Sequence, residues 1–314
     1  MVEPLFLKPV FKEKVWGGTA LREQFDYDIP SDHTGECWAI SGHKNGPSIV
    51  ENGPFSGMTI DELWKTHHEL FGSAKGDTFP LLTKILDANM DLSVQVHPDD
   101  AYAKQHEGEL GKTECWYIID CKEGAELVIG HTAKTKEELT RQIVEGHWEE
   151  LLHRVKIKPG DFFYVPSGTV HALCEGTLVL ETQQSSDTTY RLYDYDRKDS
   201  DGKLRELHLQ EAIDVTGVPQ QVPTVHPITE EKDGVLITNF IESKYFSVSK
   251  WDVKGSASIH MEEPFLLCSV INGAGTLEHK KDTFPIHKGW HFLLPSGFGD
   301  FRMNGNMEII VSHI

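Results

Sequence analysis

Short runs in which apolar and polar positions alternate, or in which apolar residues crowd together, recur along the chain between Gly, Pro, Asn and Asp residues. LSVQVH (92–97), ECWYIID (114–120), DFFYVP (161–166), TLVLETQQ (177–184), YFSVSKWDV (245–253) and FLLCSVING (265–273) are such runs. A strand sends successive side chains to opposite faces, so many short runs separated by turn residues predict a β-sandwich or barrel rather than βαβ units. Two stretches carry a helical period instead. Residues 59–71 open with Thr59-x-x-Glu62, a pair that caps each other's backbone N–H, and run to Gly72. Residues 135–154 open with Thr135-x-x-Glu138 and space Leu139, Ile143, Trp148, Leu151 and Leu152 by roughly a helical turn, with Gly146 expected to break the run in two. LHLQEAIDV (207–215) is a third helical candidate. The Pro-rich, polar stretch 215–234 that follows predicts a division into residues 1–234 and 235–314.

An internal repeat refines this picture. Residues 157–168, IKPGDFFYVPSG, align with residues 286–297, IHKGWHFLLPSG, at an offset of 129, and six of the twelve positions are identical. A Gly that opens a strand and a Pro-Ser-Gly that closes it describe one structural edge used twice, which predicts two related β-sandwiches with the helices added to the first. Three residues past the Pro-Ser-Gly turn the first copy has His171 and the second has Asp300. If His171 is a ligand, the second copy has lost it, and the active site belongs to the first sandwich.

Composition narrows the partners. The 314 residues hold 30 Lys and Arg against 49 Asp and Glu, a formal net charge of −19 with His neutral. Such a chain lacks the broad basic face that nucleic acid or an anionic membrane requires, although a few cations can still build a local pocket for a small anion. Hydrophobic residues make up 39%, enough for a sizeable core. The five cysteines, Cys37, Cys115, Cys121, Cys174 and Cys268, are odd in number with no CxxC spacing, which fits a reducing compartment. The first residues, MVEPLFLKPVFKEKVWGG, lack an uninterrupted apolar signal region, and no run approaches the ~20 apolar residues of a membrane span. A soluble cytoplasmic protein is expected.

Candidate chemistry lies in three of these segments. In a strand over 93–98, Gln95 and His97 share one face while Val94 and Val96 take the other, which suits a sheet with a polar pocket on one side. Lys112, Glu114 and Trp116 share a face of the next segment, and His171 follows the Pro-Ser-Gly turn. Two imidazoles, a carboxylate and an amide oxygen suit Zn²⁺ and equally Fe²⁺, Mn²⁺ or Co²⁺. His67, His68, His131, His147, His153 and His208 have no comparable strand context and read as solvated or packing residues, as do His287 and His291 of the second copy.

PLLTKILDANMDLSVQVHPDD (80–100), GKTECWYIID (111–120), GDFFYVPSGTVHAL (160–173) and ETQQSSDTTYRLYDYDR (181–197) resemble the signature segments of the type I mannose-6-phosphate isomerases, zinc enzymes of the cupin superfamily. VWGGTAL (15–21) and GECWAISGH (35–43) resemble that family's N-terminal segments, so the likeness runs through about the first 200 residues. The resemblance implies a mainly β fold of two cupin-type jelly-rolls. It implies one Zn²⁺ per chain held by Gln95, His97, Glu114 and His171, and Arg191 as the active-site arginine. There is no room for the large helical insertion of longer members, so the chain is similar to their short bacterial form.

The implied reaction interconverts mannose 6-phosphate and fructose 6-phosphate through a cis-enediol, which needs a base, an electrophile and a phosphate anchor. Lys112, on the face of Glu114, is expected beside the metal as an acid or base; the alternative is a solvated lysine at a strand edge. Arg191 is expected to stabilise developing charge or to hold substrate with forked hydrogen bonds, with a salt bridge to Asp187, Asp194 or Asp196 as its structural alternative. Lys84, a charge inside an apolar run, is expected to line the pocket or to pair with Asp87 or Asp91. The expected partner is a sugar phosphate, and the chain is expected as a monomer or homodimer. A non-catalytic sugar-binding cupin, or another metal-dependent cupin enzyme, is the competing reading.

Overall fold

The computed structural model describes residues 2–198 and 202–314. Antiparallel strands form three sheets. The six-stranded sheet runs in the order Phe162–Val165, Glu114–Cys121, Thr177–Gln184, Leu81–Ala88, Thr34–Ser41, Val10–Gly18. The five-stranded sheet runs Tyr190–Tyr193, Val94–Val96, His171–Leu173, Glu126–His131, Leu152–Lys156. The nine-stranded sheet gathers the C-terminal strands, including the 14-residue strands Ser247–His260, Leu266–His279 and Asp300–His313.

The period of two in the strands assigns their side chains to layers. Trp116, Ile118 and Val179 pack with Leu127, Ile129 and Leu173 between the six- and five-stranded sheets. The alternate residues Cys115, Tyr117, Leu178 and Leu180 join Leu267, Leu293 and Ile310 between the six- and nine-stranded sheets. The central strands Thr34–Ser41, Leu81–Ala88 and Thr177–Gln184 are therefore buried along their whole length. Phe6, Cys268, Phe292, Leu294, Ile309 and Val311 fill a separate core within the nine-stranded unit. On the far side, Val94 and Val96 meet Leu139, Ile143, Leu151 and Ala212 of the helices that cover the five-stranded sheet. At ~25 cal/mol per Å² of apolar surface, each fully buried Val or Leu in such a layer contributes roughly 1.5–3 kcal/mol.

Thr59 accepts from the Glu62 N–H and Glu62 caps Thr59 in return, starting the helix Ile60–Thr66; the rest of the expected 59–71 helix is the 3₁₀ turn His68–Phe71. The 135–154 stretch gives helices Lys136–Glu145 and Trp148–Leu151, split at Gly146 with φ +70°, but its last residues leave the helix and open the strand Leu152–Lys156. The third candidate becomes the helix Leu209–Val215.

Both repeat copies adopt the same form. Strand Phe162–Val165 corresponds at the offset of 129 to strand His291–Leu294. The bounding glycines take left-handed φ in both copies, Gly160 and Gly168 in the first and Gly289 and Gly297 in the second. Two connections cross the 234/235 division drawn from composition. Ile228–Lys232 and Val235–Glu242 are the two arms of one hairpin, and the N-terminal strand Leu5–Lys8 pairs with His291–Leu294 of the nine-stranded sheet.

Candidate metal centre and adjoining cavity

Neighbouring strands of the five-stranded sheet bring the candidate ligands together. Gln95 stands opposite His171 in the register, and the buried Val94 and Val96 fix which face Gln95 and His97 present. Glu114 enters from the first position of its strand in the facing sheet. His97 Nε2 lies 3.3 Å from Glu114 Oε2, His171 Nε2 lies 3.3 Å from Glu114 Oε1, and the Gln95 amide lies 3.3 Å from His171 Nε2. One ligand atom from each of His97, Glu114 and His171 falls within 4.8 Å of the others, and all three residues are buried. They are the one such group among the described residues.

The second nitrogen of each ring fixes its tautomer. His97 Nδ1 meets the Thr188 carbonyl at 2.9 Å and His171 Nδ1 meets the Thr169 carbonyl at 2.8 Å. A carbonyl only accepts, so each Nδ1 carries the proton and each Nε2 lone pair faces Glu114. Burial, then the nearby Lys112 ammonium, lowers the His97 pKa to about 3, and burial lowers that of His171. Burial opposes ionisation of Glu114, but Lys112, His97 and His171 outweigh it and hold the carboxyl well below the usual range. Two neutral imidazoles and one carboxylate are the protonation states a divalent cation binds. His97 Nε2 and both Glu114 oxygens make no hydrogen bond to a described residue, which is costly for buried polar atoms and fits a site shaped for an ion. Each imidazole is also steered through its outer nitrogen, as metal-ligating histidines are.

A cavity of about 470 Å³ adjoins this cluster and is lined by Gln95 and Lys112. Lys112 is buried, donates its backbone N–H to the Pro98 carbonyl, and places Nζ 3.3 Å from Glu114 Oε2, so it is not a solvated edge lysine. Arg191 lines the same cavity, with Nε bonded to Ser93 Oγ at 3.3 Å and Nη1 to the Glu206 carbonyl at 2.7 Å. None of the expected partners Asp187, Asp194 and Asp196 lies within ion-pair distance of Arg191: Asp194 pairs with Arg197 and Arg205, and Asp187 accepts from Asn45.

Lys84 lines the cavity too, but it does not pair with Asp87 or Asp91. Its Nζ lies 3.6 Å from Glu181 Oε1 and 5.0 Å from the Trp38 ring centre, while Asp87 accepts from the Ala20 N–H and Asp91 from the Glu175 N–H. In a strand buried on both faces, Asp87 points away from the cavity strand face that Lys84 occupies only three residues earlier.

Glu36, Glu181, Asp187 and Arg205 also line the cavity. Asp187 was expected only as a possible partner of Arg191, and the other three were not singled out from sequence. Trp38 Nε1 donates to Glu36 at 2.6 Å and Trp116 Nε1 to Glu181 at 3.0 Å. Burial works to raise the Glu36 pKa, yet the ammonium groups of Lys84 and Lys14 and the Trp38 hydrogen bond bring it down to about 2. Burial and the negative charge of Glu114 raise that of Glu181. Glu36 and Glu181 did carry the signal that exposed Lys84, a charge inside a run of buried positions.

In the second copy Asp300 occupies the place of His171. It is exposed and ion-paired with His260 at 2.6 Å. His291 is bonded to Tyr27 and Ser269 and joins no ligand cluster among the described residues.

Comparison with known proteins identifies the family. A family model for the phosphomannose isomerase type I catalytic domain matches residues 5–139, and one for the mannose-6-phosphate isomerase cupin domain matches residues 236–314. The chain is 61% identical over 314 residues to mannose-6-phosphate isomerase ManA of Bacillus subtilis, covering 99% of each. The chain belongs to the type I phosphomannose isomerase family. Another member, the mannose-6-phosphate isomerase of Streptococcus mutans, is 51% identical, covering 100% of this chain and 99% of the relative. The crystal structure of a mannose 6-phosphate isomerase from B. subtilis superposes with a TM-score of 0.97 at 59% identity, over 99% of both chains. Membership of this family accounts for the cupin fold.

Proposed function

We propose that this chain interconverts mannose 6-phosphate and fructose 6-phosphate, using one Zn²⁺ held by Gln95, His97, Glu114 and His171. The observation that carries the reading is the buried cluster of two neutral imidazoles and a carboxylate, joined through Gln95 and Lys112 to a cavity that also holds Arg191. A bound divalent ion supplies positive charge that polarises sugar oxygens.

The remaining chemistry falls to side chains. The reaction moves one proton between C2 and C1 and one hydroxyl proton between O2 and O1, with no net gain or loss of atoms. The Lys112 ammonium is ion-paired with Glu114 Oε2 at 3.3 Å without a hydrogen bond to it, so its three N–H donors can serve a sugar oxygen and move the hydroxyl proton. Glu181, whose proton burial favours, is the cavity carboxyl we assign to proton transfer at C1 and C2. Arg191, fixed by Ser93 and Glu206, holds negative charge on the substrate, and Lys84 binds beside Glu181. All five cysteines are free thiols and no described helix is long and apolar enough to cross a membrane; we place the enzyme in the cytoplasm.

A coupled assay of the purified, Zn²⁺-loaded protein with fructose 6-phosphate tests the reading. Formation of mannose 6-phosphate is expected, and metal-loaded protein that binds sugar phosphate without turning it over refutes it in favour of a non-catalytic cupin.

A further inference from the structure

Beyond the strand Tyr190–Tyr193 the chain doubles back on its own edge. The His208 N–H donates to the Arg191 carbonyl at 2.8 Å, His208 Nδ1 accepts from the Arg191 N–H at 3.2 Å, and the Glu206 carbonyl accepts from Arg191 Nη1. These contacts lay residues 206–208 beside Arg191 and bring Arg205 into the wall of the same cavity. No pattern in the sequence marks this position.

Charge is unbalanced there. Asp194 pairs with Arg197 at 2.5 Å and with Arg205 at 3.4 Å, and its field also reaches Arg191. Among the described residues it is the single carboxylate that ion-pairs with any of these three guanidinium groups. Three guanidinium groups thus have one ion-pairing carboxylate between them, with Glu206 adding a more distant negative charge toward Arg191. The Arg205 side chain is 21% exposed and that of Asp194 4%, so water screens the excess poorly. Burial and the Arg191 charge both act against the protonated form of Arg205. Two of these guanidinium groups, Arg191 and Arg205, line the cavity, and guanidinium forks match the oxygens of a doubly charged phosphate monoester two at a time.

We propose that Arg205 is a phosphate-binding residue of the substrate site, gripping the phosphate monoester of the sugar together with Arg191. The inference rests on the sugar-phosphate reading above and adds a residue and a role to it.

The test uses the Zn²⁺-loaded enzyme and its Arg205→Gln and Arg205→Lys variants, with mannose 6-phosphate as substrate and inorganic phosphate as competing ligand. Arg205→Gln is expected to raise both KM and the phosphate inhibition constant about 10- to 100-fold while kcat changes far less. Arg205→Lys, which keeps the charge beside Asp194 but loses the fork, is expected to raise both about fivefold. Constants within about twofold of wild type, in whichever variant folds, overturn the proposal. So does a fall in kcat and melting temperature with the phosphate constant unchanged, because that is the signature of a residue that only braces Asp194. An inactive wild type refutes the isomerase reading instead, and calorimetric titration with inorganic phosphate still decides the role of Arg205.

Discussion

Arg191 stands directly opposite Gln95 in the antiparallel register, and Gln95 stands opposite His171 on its other side. Directly opposed residues share a face, so three adjacent strands set a guanidinium, an amide and an imidazole in one row. Arg191 touches the cavity while making no ion pair among the described residues, and its role is therefore separable from the metal cluster. Arg191→Ala is expected to lower kcat/KM about 100-fold, in keeping with the loss of charge-assisted hydrogen bonds, and to leave metal content unchanged. Steady-state kinetics with elemental analysis checks both halves. A variant with normal kcat/KM, or one that has lost its metal, contradicts the assignment.

Lys84 is ion-paired with Glu181 at 3.6 Å and its charge also reaches Glu36, which pairs with Lys14 at 3.1 Å, so removing the buried Lys84 leaves Glu181 without its ion-pair partner. Lys84→Met is expected to destabilise the fold by about 3 kcal/mol, measured by urea unfolding at pH 7. Glu36 adds a pH dependence. The unfolded chain takes up this proton near the ordinary value of 4.5 and the folded chain only near 2, so the contribution is complete above pH 4.5 and lost as pH falls toward 2. The full window is worth about 3 kcal/mol. Unfolding curves between pH 5 and pH 3 should fall less steeply in Glu36→Gln than in wild type; identical slopes contradict the ion-pair account.

His291 predicts acid sensitivity at a higher pH. Its ring Nε2 lies 2.7 Å from the Tyr27 hydroxyl, which itself donates to the Gly289 carbonyl, and its Nδ1 lies 2.9 Å from Ser269 Oγ. Tyr27 therefore accepts from Nε2–H, Ser269 donates to Nδ1, and the neutral imidazole is satisfied. Burial lowers its pKa from 6.5 to about 3. Between these values the unfolded chain binds a proton that the folded chain refuses, so stability falls as pH drops through this window, by about 2 kcal/mol at pH 5. His291→Gln should be less stable at pH 7 yet lose less on going to pH 5. An equal loss in wild type and variant contradicts this.

The legible part of the site was the part carried by alternation. Val94 and Val96 pack under helices, so Gln95 and His97 had to face the other way, and the Pro-Ser-Gly turn placed His171. Lys84 stood out as a charge in an apolar run, but its partner was misread because Asp87 and Asp91 are near in sequence whereas Glu181 is across the sheet. Glu36 and Glu181 share that signal, muted by neighbouring Gly35, Thr182 and Gln183. Asp187 and Arg205 lie outside regular strands and reach the cavity through tertiary contacts that no period encodes. The pairing of Leu5 with Leu293 is equally invisible along the chain, since a short apolar strand does not name its partner.

Metal dependence of the isomerisation tests the central claim most directly. Activity with fructose 6-phosphate should disappear on chelation and return as Zn²⁺ is added back, reaching its plateau at one ion per chain. His97→Ala protein should neither retain the ion nor recover. Full activity in chelated protein, or in metal-depleted His97→Ala, would contradict the account.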